Sequence, residues 1–210
     1  MPFTEQEVGE LPQQMLPGTN IQLDLQGGQD CRKALDAVFS LTGGIYLSQM
    51  ADMVDIPAAT LQNWIKRRFV ASPQGKRYSR RQTCRIILIG VLRHTLPIDA
   101  IVTLLSSINN DLADERDDLI DDSVLYLYFC DLVLFQPPVD LSGDMTGLDK
   151  RIEAVTSSFC VSCPEDRSRL NHVLRIMVLS YESWQLKQQA EILLDMLRKE
   201  KNHDSVVECP

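Results

Sequence analysis

Gln62 and Asn63 are adjacent carboxamides at the head of a stretch in which every Lys, Arg, Asp or Glu is basic. From Gln62 to Arg93 the charged residues are Lys66, Arg67, Arg68, Lys76, Arg77, Arg80, Arg81, Arg85 and Arg93, without one carboxylate. A carboxamide can make two hydrogen bonds to an adenine edge in the major groove, a contact worth about 1–3 kcal/mol of discrimination. Lys66 and Arg67 have the chemistry to reach phosphates or guanine. Lys76, Arg77, Tyr78, Arg80 and Arg81 have the chemistry to hold a phosphate backbone, which positions a reader without reading sequence. The residue types therefore point toward duplex nucleic acid. Single charge runs are commonly solvated surface, and that alternative stands beside this one.

Other groupings of reactive residues are weaker. Cys160-Val161-Ser162-Cys163 is the one C-x-x-C of the sequence, and His172 follows nine residues on. That makes three candidate zinc ligands without a clear fourth, and two ordinary loop thiols are the simpler reading. Asp111, Asp114, Glu115, Asp117, Asp118, Asp121 and Asp122 crowd around Arg116. They lack the glycine and the spacing of a calcium loop and read as a solvated linker face. No P-loop, G-x-S-x-G, H-E-x-x-H or dinucleotide glycine pattern occurs. The sequence predicts neither an enzyme nor a cofactor or metal site.

The chain has 210 residues, 44% of them hydrophobic and 24% charged, and a net charge of −8. This length can bury a full core without disulfides or metal. A net negative charge argues against nucleic acid, but the +9 segment leaves −17 for the remainder, so a basic head on an acidic body is expected. The longest strongly apolar run, Ile86 to Leu92, falls far short of the roughly 20 residues that span a bilayer. The first residues are acidic, without the positive start of a secretory signal. Six cysteines are too sparse for a disulfide scaffold. A cytoplasmic protein with mostly reduced, partly buried thiols is expected.

These residues need elements to position them. Residues 1–29 read as an irregular or docked arm rich in Pro and Gly. Asp30 caps a helix with Ala34, Val38 and Leu41 on one face, ended by Gly43-Gly44. Leu47 to Val54 forms a helix around Met50 and Ala51. After Asp55-Ile56-Pro57 a second helix runs to about Arg68, with Ala58, Leu61, Ile65 and Phe69 inward and Ala59, Gln62, Asn63, Lys66 and Arg67 outward. Two short helices on a three-residue turn make a helix-turn-helix. Trp64 beside Leu61 and Ile65 reads as core. Ala71 to Tyr78 has the character of a tight loop or small β-wing. Ser79 and Gln82 form a capping box for a helix to about His94, with Cys84, Ile87, Leu88 and Val91 as its core face. Another helix starts at Leu96-Pro97 and carries Ile98, Ile101, Val102 and Leu105. Ser123 to Phe135 is apolar nearly all round, the mark of a buried helix. Leu148 to Phe159 and Glu165 to about Lys199 give two more, before a loose tail.

The order Leu47-Ser48-Gln49-Met50-Ala51, Ile56-Pro57-Ala58-Ala59-Thr60-Leu61, Trp64, Arg77-Tyr78-Ser79 and Leu96-Pro97-Ile98-Asp99-Ala100-Ile101 resembles the head of MerR-type regulators. It is most similar to an uncharacterised bacterial domain-of-unknown-function family that carries such a head. The resemblance implies a winged helix-turn-helix that grips DNA, with Arg77 and Tyr78 at wing positions that hold the backbone. It departs from MerR at Asp55 and Pro57, and an acidic segment stands where a long dimerising helix would follow. The implication therefore stops at the head and does not extend to effector sensing. The expected architecture is all-α with a small β-wing: an arm (1–29), a DNA-binding head (30–110), a helical C-terminal body for dimerisation or signal input (111–200) and a tail (201–210). The expected function is sequence-specific transcriptional regulation by a homodimer on double-stranded DNA, the dimer joined through Leu170 to Leu197. The competing expectation is a protein-interaction adaptor that uses the same fold without DNA.

Overall fold

Ten consecutive residues, Thr83 to Leu92, are buried in a single helix. This is α4 (Arg80–Leu92), and a helix buried all round must be covered on every side. The cover determines the architecture. In the computed structural model, residues 14–24, 30–40, 43–109, 118–135, 145–160 and 163–207 are described, with side chains to residue 199. In chain order the elements are α1 (Cys31–Ser40), β1 (Ile45–Tyr46), α2 (Leu47–Val54), α3 (Ala58–Lys66), β2 (Arg77–Tyr78), α4, α5 (Ile98–Ser106), α6 (Asp122–Leu134), α7 (Thr146–Thr156) and α8 (Pro164–Val207). The most extensive contact is α4 on α6. Helices α2, α5 and α8 and strand β2 also lie against α4, and α7 joins α6 and α8. The described residues are mainly helical, with one small sheet among them in which β1 and β2 pair antiparallel, Ile45 with Tyr78 and Tyr46 with Arg77.

Local signals explain most boundaries. Asp30 caps α1 by accepting from the Lys33 amide at 2.7 Å. Ser79 and Gln82 close their capping box in both directions, at 3.3 and 2.9 Å. Pro57 and Pro97, each at an N-cap, open α3 and α5. The arm is docked: Leu16 is fully buried, and the buried Tyr126 hydroxyl donates to the Pro17 carbonyl at 2.6 Å. Residues 1–13 and 25–29 of the arm lie outside the described residues.

Three expectations change. Helix α3 ends at Lys66, not Arg68, because Arg68 adopts a left-handed φ of 59°. That turn brings Phe69 and Val70 back into the core, and the Phe69 amide donates to the Trp64 carbonyl at 2.9 Å. Helix α4 has no single core face, since α6 and α8 cover the sides that the helix-turn-helix leaves open. Helix α8 continues to Val207 where a loose tail was expected. Among the described residues no helix is long and apolar enough to cross a membrane.

Candidate nucleic-acid interface

The helix-turn-helix is built from α2, the turn Asp55-Ile56-Pro57 and α3. Asp55 takes the left-handed conformation (φ 51°) that ends α2, and its amide bonds to the Ala51 carbonyl. Ile56, in the middle of the turn, is buried. On α3, Leu61 and Trp64 are buried and Ile65 half-buried, so Trp64 belongs to the core as the sequence indicates. Ala59, Gln62, Asn63, Lys66 and Arg67 are all exposed. The five outward positions therefore lie together on one helix face. Arg67 packs its guanidinium over the Phe69 ring, 4.6 Å from the centroid, and lies 3.7 Å from the exposed Asp99 carboxylate.

The segment after α3 is held against α4 by a side chain. The Gln82 amide donates to the carbonyls of Ala71 and Ser72, at 3.2 and 2.9 Å. The loop then turns at Gly75 and Lys76, both with positive φ, and bridges Gln74 to Arg77. Lys76 is exposed at this tip. The strand that follows pairs with β1, ahead of α2, so the small sheet ties the two ends of the helix-turn-helix together. Arg77 is half-buried, with its guanidinium 4.6 Å from the Tyr46 ring centroid and a donor 3.4 Å from the Gly44 carbonyl.

The remaining expected backbone contacts are placed elsewhere. Tyr78 is only 3% exposed, and burial raises its hydroxyl pKa. Arg80 is ion-paired to Asp36 on α1. Arg81 is ion-paired to Asp118 and lies 3.8 Å from Asp122. Arg85, also in the basic stretch, is buried: its Nε donates to the Phe69 carbonyl at 2.9 Å, and Nη1 lies 3.3 Å from Asp122. Asn109 donates to the same carboxylate at 3.0 Å. Burial pushes the Asp122 carboxyl above the usual carboxylate range, and the two guanidiniums pull it back.

This corrects the reading of the acidic segment as a solvated linker. The Asp118 and Asp122 side chains are 5% and 1% exposed, and they neutralise arginines of the basic stretch. Arg81 and Arg85, four residues apart, share one face of α4, whereas Asp118 lies ahead of α6 and only Asp122 is on it, so no helical spacing in the sequence marks the carboxylates as their partners. Residues 110–117 of the acidic run lie outside the described residues. Arg93 is exposed at the far end of α4, roughly 20 Å along the axis from Arg80. The exposed basic surface is thus narrower than the sequence count suggests: apart from Arg93 it consists of Lys66, Arg67 and Arg68 at the end of α3 and Lys76 at the loop tip.

Residues 34–129 match a domain of unknown function, DUF1836. The matched stretch runs from α1 into α6. It takes in the helix-turn-helix, the loop, α4 and both sides of the Arg85–Asp122 pair, and leaves α7 and α8 outside. The DUF1836 match says nothing of a MerR-type head. No curated protein and no solved structure matches the chain.

Among the described residues no group of three or more His, Cys, Asp or Glu side chains could hold a metal ion. Cys160 is exposed and Cys163 half-buried, both as free thiols, and His172 is exposed. Cys31, Cys84 and Cys130 are buried thiols, and burial raises the pKa of Cys84 and Cys130, so neither is a poised nucleophile. Cys209 lies outside the described residues.

Proposed function

We propose that the DUF1836 stretch is a MerR-like DNA-reading head and that the protein is a sequence-specific transcriptional regulator, without enzymatic activity of its own. The observation that carries this reading is the second helix of the helix-turn-helix. It exposes Gln62, Asn63, Lys66 and Arg67 on one face and buries Leu61 and Trp64 on the other. Carboxamides flanked by cations are the groups that read base edges in the major groove while neutralising phosphate. In this reading α3 enters the groove and the loop tip at Lys76 plays the part of a wing, gripping the flanking backbone. Arg77 positions that loop through Tyr46 and Gly44. Tyr78 and Arg81 serve the fold.

The adaptor reading keeps one observation in its favour: Arg80, Arg81 and Arg85 are ion-paired within the chain, so fewer cations face outward than nine. Titrating the full chain against random and selected duplex DNA at several salt concentrations separates the two. A DNA reader gives an affinity whose logarithm falls linearly with log salt, by about 0.9 per phosphate neutralised, together with a preferred sequence. Absence of any salt-dependent retention hands the site to a protein partner.

A further inference from the structure

The last part of α8 leaves the body of the protein. Leu170, Val173, Leu174, Met177 and Val178 are buried, whereas from Leu186 to Lys199 every residue except Gln188 is exposed. The exposed set includes Leu186, Ile192, Leu193, Leu194, Met196 and Leu197, each between 46% and 62% accessible. At 3.6 residues per turn these six and Ala190 fall within an arc of roughly 200°. The charges, Lys187, Glu191, Asp195, Arg198 and Lys199, fill the opposite side. That side is satisfied along its own helix, Lys187 with Glu191 at 3.7 Å and Arg198 with Asp195 at 3.0 Å. The missing partner is therefore apolar and needs no charge of its own.

We propose that this segment pairs antiparallel with the same segment of a second copy, across a two-fold axis near Glu191 and Ile192. The seam pattern commits to that occupant. Leu186, Ala190, Leu193 and Leu197 recur at spacings of four, three and four, as seam positions of a helix pair do. About this axis Leu186 meets Leu197 of the partner subunit and Ala190 meets the partner's Leu193, so the small side chain always faces a large one. A parallel pair would set Ala190 against its own copy and leave a void between leucine layers.

An open cleft of 1610 Å³ lies at the base of the segment, lined in part by Leu134, His94, Trp184, Gln185 and Gln189. The same antiparallel register sets Lys199 of each copy level with Trp184 of the partner subunit, beside the cleft. Leu186, Leu193, Leu194, Met196 and Leu197 line or flank this seam, ten half-exposed side chains from the two copies that bring on the order of 500 Å², while Ile192 lies on the far side. A specific interface needs roughly 1,000 Å² in all, so the pairing has to cover the cleft edge as well. The pairing requires no DNA.

The test is the mass of the full chain in solution without DNA, followed by two variants. The wild type is expected at twice the chain mass. L193E is expected to halve that mass with an unchanged circular dichroism spectrum and melting temperature, since Leu193 is 62% exposed. With Cys160, Cys163 and Cys209 changed to Ser, L186C/L197C is expected to give a disulfide-linked dimer, and L197C alone none, because the two copies of residue 197 stand roughly 17 Å apart along the axis. A monomeric wild type at high micromolar concentration overturns the proposal, as does an L193E chain that stays dimeric. Efficient cross-linking by L197C alone overturns the antiparallel register. Each readout is independent of DNA, so failure of the regulator reading leaves a dimer detectable, and failure of the dimer leaves DNA retention measurable.

Discussion

Arg85 shows what the buried side of the basic stretch does. Its guanidinium has Asp122 and the Phe69 carbonyl within reach and almost no water, so the pair is held by geometry and its desolvation cost is already met in the folded state. Removing one partner strands the other: Asp122→Ala should cost about 3–5 kcal/mol in urea unfolding, and Arg85→Met combined with Asp122→Leu clearly less than the two single losses together. A single loss below about 1 kcal/mol would show that water reaches the pair. The outward side chains behave differently. Asn63→Ala should lower affinity for a preferred site by about 1–3 kcal/mol with an almost unchanged salt slope, whereas Lys66→Ala should weaken all DNA alike and flatten the slope by about one. Equal effects of both on specific and random DNA would remove base reading from α3. His94 is a third case, stacked on Trp184 with centroids 4.7 Å apart and planes 15° apart. Desolvation, then the charges of Arg93 and Lys187, lower its pKa. Protons then bind the unfolded chain preferentially, so the His94 contribution to stability is complete above the unfolded value of about 6.5 and is lost as pH falls through the lowered folded value. Fluorescence of Trp184, isolated as the difference from Trp184→Phe, should report a His94 titration whose midpoint lies below 6.5. A midpoint at or above 6.5 would contradict the desolvation of the ring and the effect of the two cations beside it.

At the scale of elements, a glycine decides how the arm reaches the core. Gly18 has φ +77°, and a Cβ there would stand 2.3 Å from Cγ2 of Val91 and 2.9 Å from Cγ2 of Ile87, both on α4. Gly18→Ala should therefore lower stability by about 2–4 kcal/mol, joining backbone strain to a clash in a filled core. Gly75, at φ +55° with nothing within 4 Å, supplies the control. Its Ala variant should cost only the left-handed backbone, about 1–2 kcal/mol. Equal unfolding midpoints for the two variants would show that the arm yields. The same contrast explains what the sequence makes legible. Asp30, the Ser79/Gln82 box, Pro57 and Pro97 act within one turn of their own position, so the starts of α1, α3, α4 and α5 can be read directly. The all-apolar run of α6 and the core place of Trp64 follow from helical spacing alone. The end of α3 depends on Phe69 and Val70 finding the core, and the inward turn of Arg81 and Arg85 depends on carboxylates 37 residues away. Periodicity carries no information about contacts at that separation, so a +9 stretch reads as wholly outward when part of it is structural.

For the whole molecule, the question is whether the part proposed to read DNA stands by itself. The sequence divides into a head to residue 110 and a body beyond it, yet α4, which opens with the capping box beside the loop, is also the helix most covered by α6 and reached by α8. Cutting the chain at residue 109 would remove those covers. It would leave a helix apolar all round, Ile86 to Leu92, exposed along the sides they occupied, and would strip Arg81 and Arg85 of Asp118 and Asp122. The ion pairs alone make the loss severe, since two guanidiniums placed for burial would have no counter-charge. A fragment of residues 1–109 should therefore keep helical far-ultraviolet signal but lose near-ultraviolet ellipticity and dispersed amide resonances, and bind a hydrophobic dye, the marks of a collapsed chain without fixed packing. The full chain measured alongside should show none of these. A fragment with dispersed resonances and a cooperative transition would mean that the arm, α2 and α5 suffice to hold α4. In the expected case α4, on which α2 of the helix-turn-helix lies, is held in place by α6 and α8, so a change in how they pack reaches the proposed reading face on α3 through α4 and α2.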